Sequence, residues 1–416
     1  MNLSQSEFAA DTFFTAAGKL DISSREPLTV AFIGGSLTEG EIDYEGTSLD
    51  DKNLKWANVI IKFLSGLFPF RPITAVNAGL GGTESNYGAA RFARDILSHK
   101  PDLVFIEFSC NDRPYKLSEC NDDGKAKRQI YLESMIRQCM EASKVPAIVY
   151  MHVPMPLLGE ELDCYYRGCE FKQEVLDHYE IGTVNAMADF INEYRAQSVA
   201  NPQISIEDYY CKYYERHENG LYNVHPRGSG YLLFAQSLIN AITREPERYL
   251  RPFKMKDDVY CKGYETEIGE RYNYIHAASE RITYEGEWQL YTAENPFVSG
   301  DPEILIREKS YKRKQNFPKG VMQTYKPRAA AFSFETEADR VCMPHVSAKA
   351  GLSATVYADG IKVGETSCQS RWHGMNYTGP WITLPKGKKR LRFVIEDASD
   401  TAYVFRFGNI IEAFRK

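Results

Sequence analysis

Thr29-Val30-Ala31-Phe32-Ile33-Gly34-Gly35-Ser36-Leu37-Thr38-Glu39-Gly40 decides how the rest of this chain is read. Its first five residues form a short β-rich run, the pattern of a central strand buried on both faces. The run ends on glycine, so the strand opens into a loop that carries Ser36. The same grammar returns downstream. Ile73–Val76 runs into Asn77-Ala78-Gly79-Leu80-Gly81-Gly82-Thr83, and Asp102–Phe108 (DLVFIEF) runs into Ser109-Cys110-Asn111-Asp112. A fourth apolar run, Ala147–Val153 (AIVYMHV), follows.

Between and after these strands the spacing of apolar residues turns helical. Trp56–Phe68, Arg128–Ser143, Val175–Tyr194 and Gly230–Ile242 read as helices, and Phe8, Phe13 and Phe14 predict another within residues 1–22. Strand alternating with helix predicts an α/β domain, a parallel sheet with helices on both faces. After Arg244 the texture changes. Short β-rich runs (Ala330–Phe334, Ser353–Tyr357, Leu391–Ile395, Ala402–Phe407) alternate with turn signals such as Asp359-Gly360, which predicts an antiparallel β-sandwich. The expected organisation is the α/β domain over residues 1–250, a charged linker over 251–271 and the sandwich over 272–416.

Bulk properties narrow the function. A chain of 416 residues is too long for one ordinary core. A net charge of −6 argues against nucleic acid as partner, because phosphate binding needs a basic surface. No run approaches the ~20 apolar residues of a membrane span, and the start Met1-Asn2-Leu3-Ser4-Gln5-Ser6-Glu7 lacks the pattern of a signal peptide. Nine cysteines, an odd number without CxxC pairs, read as free thiols in a reducing compartment, so a cytoplasmic location is expected. Cys164 and Cys169 are the closest pair but lack matching zinc ligands, and the eight histidines show no HxxxH or HExxH spacing. Neither metal nor other cofactor is expected.

Ser36 sits where ligands bind in such folds, outside the carboxyl end of a parallel strand. A phosphate-cradling loop would occupy the same place, but Glu41-Ile42 stands where Lys-Ser or Lys-Thr is required. The dinucleotide pattern fails too, since Gly79-Leu80-Gly81-Gly82-Thr83 continues to Glu84 instead of a third glycine. Nor is this a G-x-S-x-G elbow, because position 38 is threonine. Gly82 can present a bare backbone N–H, and Asn111 a side-chain amide, to the same point as Ser36. Taken singly, Gly82 reads as a tight turn and Asn111 as a loop cap. His225, in Val224-His225-Pro226 just before the last helix, is placed to reach back as a base; His217 is a weaker rival.

These four segments resemble blocks I, II, III and V of the SGNH hydrolases, the GDSL-like esterases, over roughly residues 28–245. The resemblance implies a three-layer α/β/α, flavodoxin-like domain. It makes Ser36 the nucleophile and first oxyanion donor, Gly82 and Asn111 the other two donors, and His225 the base. Gly35 replaces the aspartate of the GDSL signature, and Ser109 a glycine of block III. Block V normally reads Asp-x-x-His, and here Tyr222 stands in the aspartate's place. That acid holds the imidazole in the correct tautomer. A backbone carbonyl, Tyr222, or a displaced acid such as Glu218 or Asp208 can substitute, and a Ser-His dyad is the favoured expectation.

An SGNH domain followed by a sandwich also resembles bacterial carbohydrate acetylesterases whose accessory domain is like a carbohydrate-binding module. The implied reaction is removal of O-acetyl groups from oligosaccharides, manno-oligosaccharides first and xylo-oligosaccharides next. The implied partner is therefore an acetylated oligosaccharide, with no nucleic acid and no membrane. Gln369–Trp381 supplies Trp372, Tyr377 and Trp381, flat faces that suit sugar stacking or, equally, a sandwich core. A lipid or thioester hydrolase and a non-catalytic sugar-binding protein are the competing expectations.

Overall fold

The computed structural model describes residues 25–40, 54–218, 220–251, 253, 255–291, 321–325, 330–346, 351–369, 376–395 and 404–415. The helix expected within residues 1–22 and the loop carrying Trp372 lie outside them. The chain divides into two compact units, Met1–Ile268 and Gly269–Lys416.

In the first unit, strands β1 (Leu28–Gly34), β2 (Ile73–Gly79), β3 (Leu103–Glu107), β4 (Ala147–His152) and β5 (Gly182–Asn185) form one sheet. Every pairing is parallel and the order is β2-β1-β3-β4-β5, the flavodoxin-like arrangement. Alternate residues of each strand feed two cores. Val30, Phe32, Phe105 and Val149 pack under α2 (Trp56–Leu67), α6 (Ala186–Ala200) and α8 (Gly228–Arg244). Ala31, Ile33, Ile106 and Ile148 pack under α3 (Ser85–Asp95), α4 (Asp122–Met140) and α5 (Gly159–His178). The expected three-layer α/β/α domain is observed. Within it, Phe32 and Phe105 stack at 5.1 Å, and Trp56 packs edge-on against both. Burying an indole removes about 200 Å² from water, worth roughly 5 kcal/mol before entropy.

Two expectations need correction. The helix read over Val175–Tyr194 is two helices with β5 between them. Glu180 adopts a left-handed φ of 54° just after α5, and Gly182-Thr183-Val184-Asn185 then runs as the edge strand. The stretch read as a linker is also strapped to the first unit. Glu133 of α4, fully buried, accepts from the N–H groups of Tyr260 (2.6 Å) and Cys261 (2.9 Å). Arg137 donates to the carbonyls of Lys256, Asp257 and Asp258. Phe253, Cys261 and Ile268 complete the apolar cluster beneath. The charged composition that suggests a linker hides backbone polar groups satisfied by two side chains of a distant helix.

In the second unit the described strands form three antiparallel sheets. One runs in the order Ile361–Ser367, Ser353–Ala358, Lys389–Ile395, Ala331–Thr336, Thr283–Glu285. Phe332 stacks at 4.5 Å on both Phe393 of its own sheet and Phe407 of another, closing the core. The antiparallel β fold expected for this part of the chain is observed.

Candidate active site

The loops that follow β1 and β3 bracket the point where the strand order reverses, the place where such sheets take their ligands. Ser36 follows β1 and opens a one-turn helix, α1 (Ser36–Glu39), which Gly40 closes with φ 77° and an N–H to Ser36 O of 2.8 Å. Trp56 Nε1 donates to Leu37 O (2.9 Å) and fixes the turn from below. Ser36 itself is only 6% exposed.

Close backbone approach explains the glycines around it. A Cβ on Gly35 would stand 2.1 Å from Asn111 Oδ1 and 3.5 Å from Thr83 O, so both neighbouring loops converge on the residue before the serine. A Cβ on Gly79 would lie 2.1 Å from Glu39 N, so the loop after β2 sits directly on α1. That loop is tied down further. Asn77 Nδ2 donates to Thr38 O (2.9 Å), Asn77 Oδ1 accepts from Gly79 N (2.8 Å), and Gly81 N donates to Glu39 Oε2 (2.8 Å). Gly82 has φ 73°, a conformation L side chains rarely adopt, and it leaves a bare N–H in the loop. Asn111 Oδ1 is buried and accepts no hydrogen bond among the described residues. The opposite end of that amide carries the Nδ2 donor.

The histidine arrives from a separate element. A two-stranded hairpin, β6 (Tyr214–Arg216) and β7 (Tyr222–Pro226), brings His225 to the serine. His225 Nε2 lies 2.8 Å from Ser36 Oγ across 189 positions of sequence. With its proton on Nδ1, the imidazole accepts from the serine hydroxyl, which is the arrangement a nucleophile and its base require. The rival His217 is exposed in the hairpin turn, its N–H bonded to Leu221 O (2.8 Å).

The candidate replacements for the missing aspartate fare differently. Tyr222 directs its hydroxyl away, donating to Glu207 O (3.0 Å), and burial pushes that phenol up to about 12. Asp208 caps the short helix α7 (Ile206–Tyr210): its carboxylate accepts from Ser205 Oγ (2.6 Å) and Ser205 N (3.2 Å), bonds that hold its pKa below the usual value. Glu218 is exposed in the turn. Of the sugar-stacking candidates, Trp381 is flanked by the Tyr272 ring (5.8 Å) and the Arg340 guanidinium (4.9 Å), which makes it a packing residue of the second unit. The Tyr377 side chain, like Trp372, is outside the described residues.

One residue here escapes a reading of the sequence. Glu107 ends β3, is fully buried, and accepts from Thr38 Oγ1 (3.3 Å), Ser109 Oγ (3.0 Å) and Cys110 N (3.4 Å). Burial pushes its pKa up to about 7, against the hydrogen bonds from Ser109 and Cys110 and the charge of Lys172. The signal that finds it is a lone acid inside the otherwise apolar run LVFIEF.

Residues 32–233 match the model of the GDSL-like Lipase/Acylhydrolase family. No curated protein sequence matches significantly. Among solved structures, a two-domain esterase (CEX) active on acetylated mannans superposes with a TM-score of 0.63 at 18% identity, over 94% of this chain and 92% of that one. The esterase co-crystallized with mannopentaose gives 0.64 at 18% identity, over 94% and 93%. Axe2, an acetylxylan esterase from Geobacillus stearothermophilus, covers 52% of this chain and 94% of its own, with 19% identity and a TM-score of 0.37. At such identities the likeness to the two-domain esterase is one of fold. The four-segment pattern and the family match over residues 32–233 agree, so the first unit is similar to the GDSL-like lipase/acylhydrolase family.

Proposed function

We propose that this acylhydrolase removes O-acetyl groups from oligosaccharides through an acyl-enzyme on Ser36. The observation that carries the proposal is the 2.8 Å contact between Ser36 Oγ and His225 Nε2. His225 takes the hydroxyl proton as Ser36 attacks the ester carbonyl. The oxyanion rests on the N–H groups of Ser36 and Gly82 and on the Asn111 amide, each donor worth about 2.7–4 kcal/mol in the transition state. The sugar hydroxyl leaves with the proton from His225, and water activated by the same imidazole releases acetate. Tyr222 and Asp208 spend their polar atoms elsewhere, so neither takes the place of the aspartate at His225.

A carbohydrate acetate as substrate is supported by the two-domain esterase of the same fold, which acts on acetylated mannans. The decisive experiment compares wild type with Ser36→Ala on 4-nitrophenyl acetate, then measures acetate released from acetylated manno- and xylo-oligosaccharides. Hydrolysis abolished by the substitution, with acetate favoured over octanoate, is the expected result. A wild type without esterase activity sinks the proposal; preference for octanoate replaces its substrate with a lipid or thioester.

A further inference from the structure

Glu107 is an expensive residue to place where it is. A carboxyl with no solvent exposure, at the end of a strand that is otherwise apolar, loses its hydration and must recover it from neighbours. An apolar side chain of similar size would satisfy the sheet at lower cost. Its hydrogen bonds show what the carboxyl does instead. One oxygen accepts from Thr38, in the turn that carries Ser36. The other accepts from Ser109 Oγ and Cys110 N, in the loop that carries Asn111. Ser109 Oγ in turn accepts from Val153 N (3.1 Å), adding the segment after β4. The Thr38 carbonyl holds Asn77, and Asn77 holds Gly79 at the start of the Gly82 loop.

We infer that Glu107 is a positioning residue that sets the Ser36 turn and the Asn111 loop in register, and so fixes the spacing of the oxyanion donors. The inference rests on the esterase reading of the site. Glu107 touches neither substrate nor the reacting atoms; it acts through Thr38, Ser109 and Cys110. The pKa near 7 fits a carboxyl held in a site that stability alone does not favour.

The test uses Glu107→Leu, Glu107→Gln and Thr38→Val in the full chain, with melting temperature, kcat and KM on 4-nitrophenyl acetate, and crystal structures of the variants. Glu107→Leu removes every acceptor and is expected to lower kcat about 10- to 100-fold, the scale of an ångström-sized misplacement, with KM changed less than about threefold. Glu107→Gln keeps an acceptor and restores most of the loss. Thr38→Val cuts one arm and lowers kcat about 3- to 10-fold, with no further effect in the Glu107→Leu background. A lowered melting temperature with kcat intact overturns the inference, because a purely structural residue gives that result. Should Glu107→Leu fail to fold, Thr38→Val with unchanged kcat overturns it equally. Should wild type lack esterase activity, the esterase reading fails separately, and the crystal structures still decide: Asn111 and Thr38 within about 0.5 Å of their wild-type places refute positioning.

Discussion

Replacing Gly35 by alanine tests whether Asn111 works where the geometry puts it. Gly35 has φ −82° and ψ −154°, extended backbone that any residue adopts, so the substitution introduces no backbone strain. Its entire effect is the new methyl, which would stand 2.1 Å from Asn111 Oδ1 and 3.1 Å from Asn111 Cγ. An ordinary contact begins near 3.4 Å, so the amide must retreat by more than 1 Å. The donor at its other end then leaves the 2.7–3.1 Å range in which an oxyanion is held, and about 2.7–4 kcal/mol of transition-state stabilisation is lost. Gly35→Ala is therefore expected to lower kcat about 10²- to 10³-fold on 4-nitrophenyl acetate, with KM nearly unchanged. Asn111→Ala should lose a similar amount. Because both changes remove one donor, the double variant should be no worse than Asn111→Ala alone. Losses that add in the double variant, or a Gly35→Ala enzyme within about threefold of wild type, would refute the reasoning.

Other expectations follow from contacts in the same region. His225→Ala removes the proposed base and should lower kcat about 10²- to 10⁴-fold, measured with the melting temperature as a control for folding. Tyr222→Phe loses the bond to Glu207 O and the weak one from the Cys211 thiol, so kcat should stay within about threefold while urea unfolding shows roughly 1 kcal/mol less stability. Asp208→Ala should likewise leave kcat alone and lower stability slightly in urea unfolding, because the capping box with Ser205 is lost. His152 is 1% exposed at the end of β4, and burial pulls its pKa down to about 3, helped by the charge of Lys172. An unfolded histidine binds its proton near pH 6.5, so stability falls as pH drops from there toward 3, by about 1.4 kcal/mol per pH unit. Urea titrations at pH 7 and 5 should show a smaller difference for His152→Gln than for wild type.

The parts legible in the sequence are those whose physics is local. β1, β3 and β4 are continuous apolar runs because both faces of a central parallel strand are covered. β5 has four residues and no such run, and its start depends on a left-handed non-glycine residue that carries no sequence signal. α3 (SNYGAARFARD) carries a glycine at position 88 because that residue lies against the Phe108 ring, where a Cβ would be 2.5 Å away, and the glycine weakens the helical signal. Among the site residues, Ser36 and His225 are readable as a pair only through the four-segment pattern, since 189 positions separate them. What holds them is less legible. Glu107 shows only as a lone acid in an apolar run, while Thr38 and Asn77 act on neighbours supplied by other strands and nothing in their own surroundings announces it.

That the histidine rides on its own hairpin, outside the main sheet, also bears on how the protein comes to life. Tyr214 Oη of the hairpin reaches Pro154 O (2.7 Å) and Tyr210 Oη of α7, just before it, reaches Leu157 O (3.2 Å), so the hairpin and its lead-in dock on a segment that exists only once β4 is laid down. A link closed over so long a stretch of chain comes late in folding, because its loop entropy must first be offset by nearer contacts. During synthesis the serine turn and the loops around it can assemble while position 225 is still unmade. On the proposed reading, the growing polypeptide carries the cradle of the nucleophile before its proton acceptor, and chemistry waits for the hairpin to close onto it.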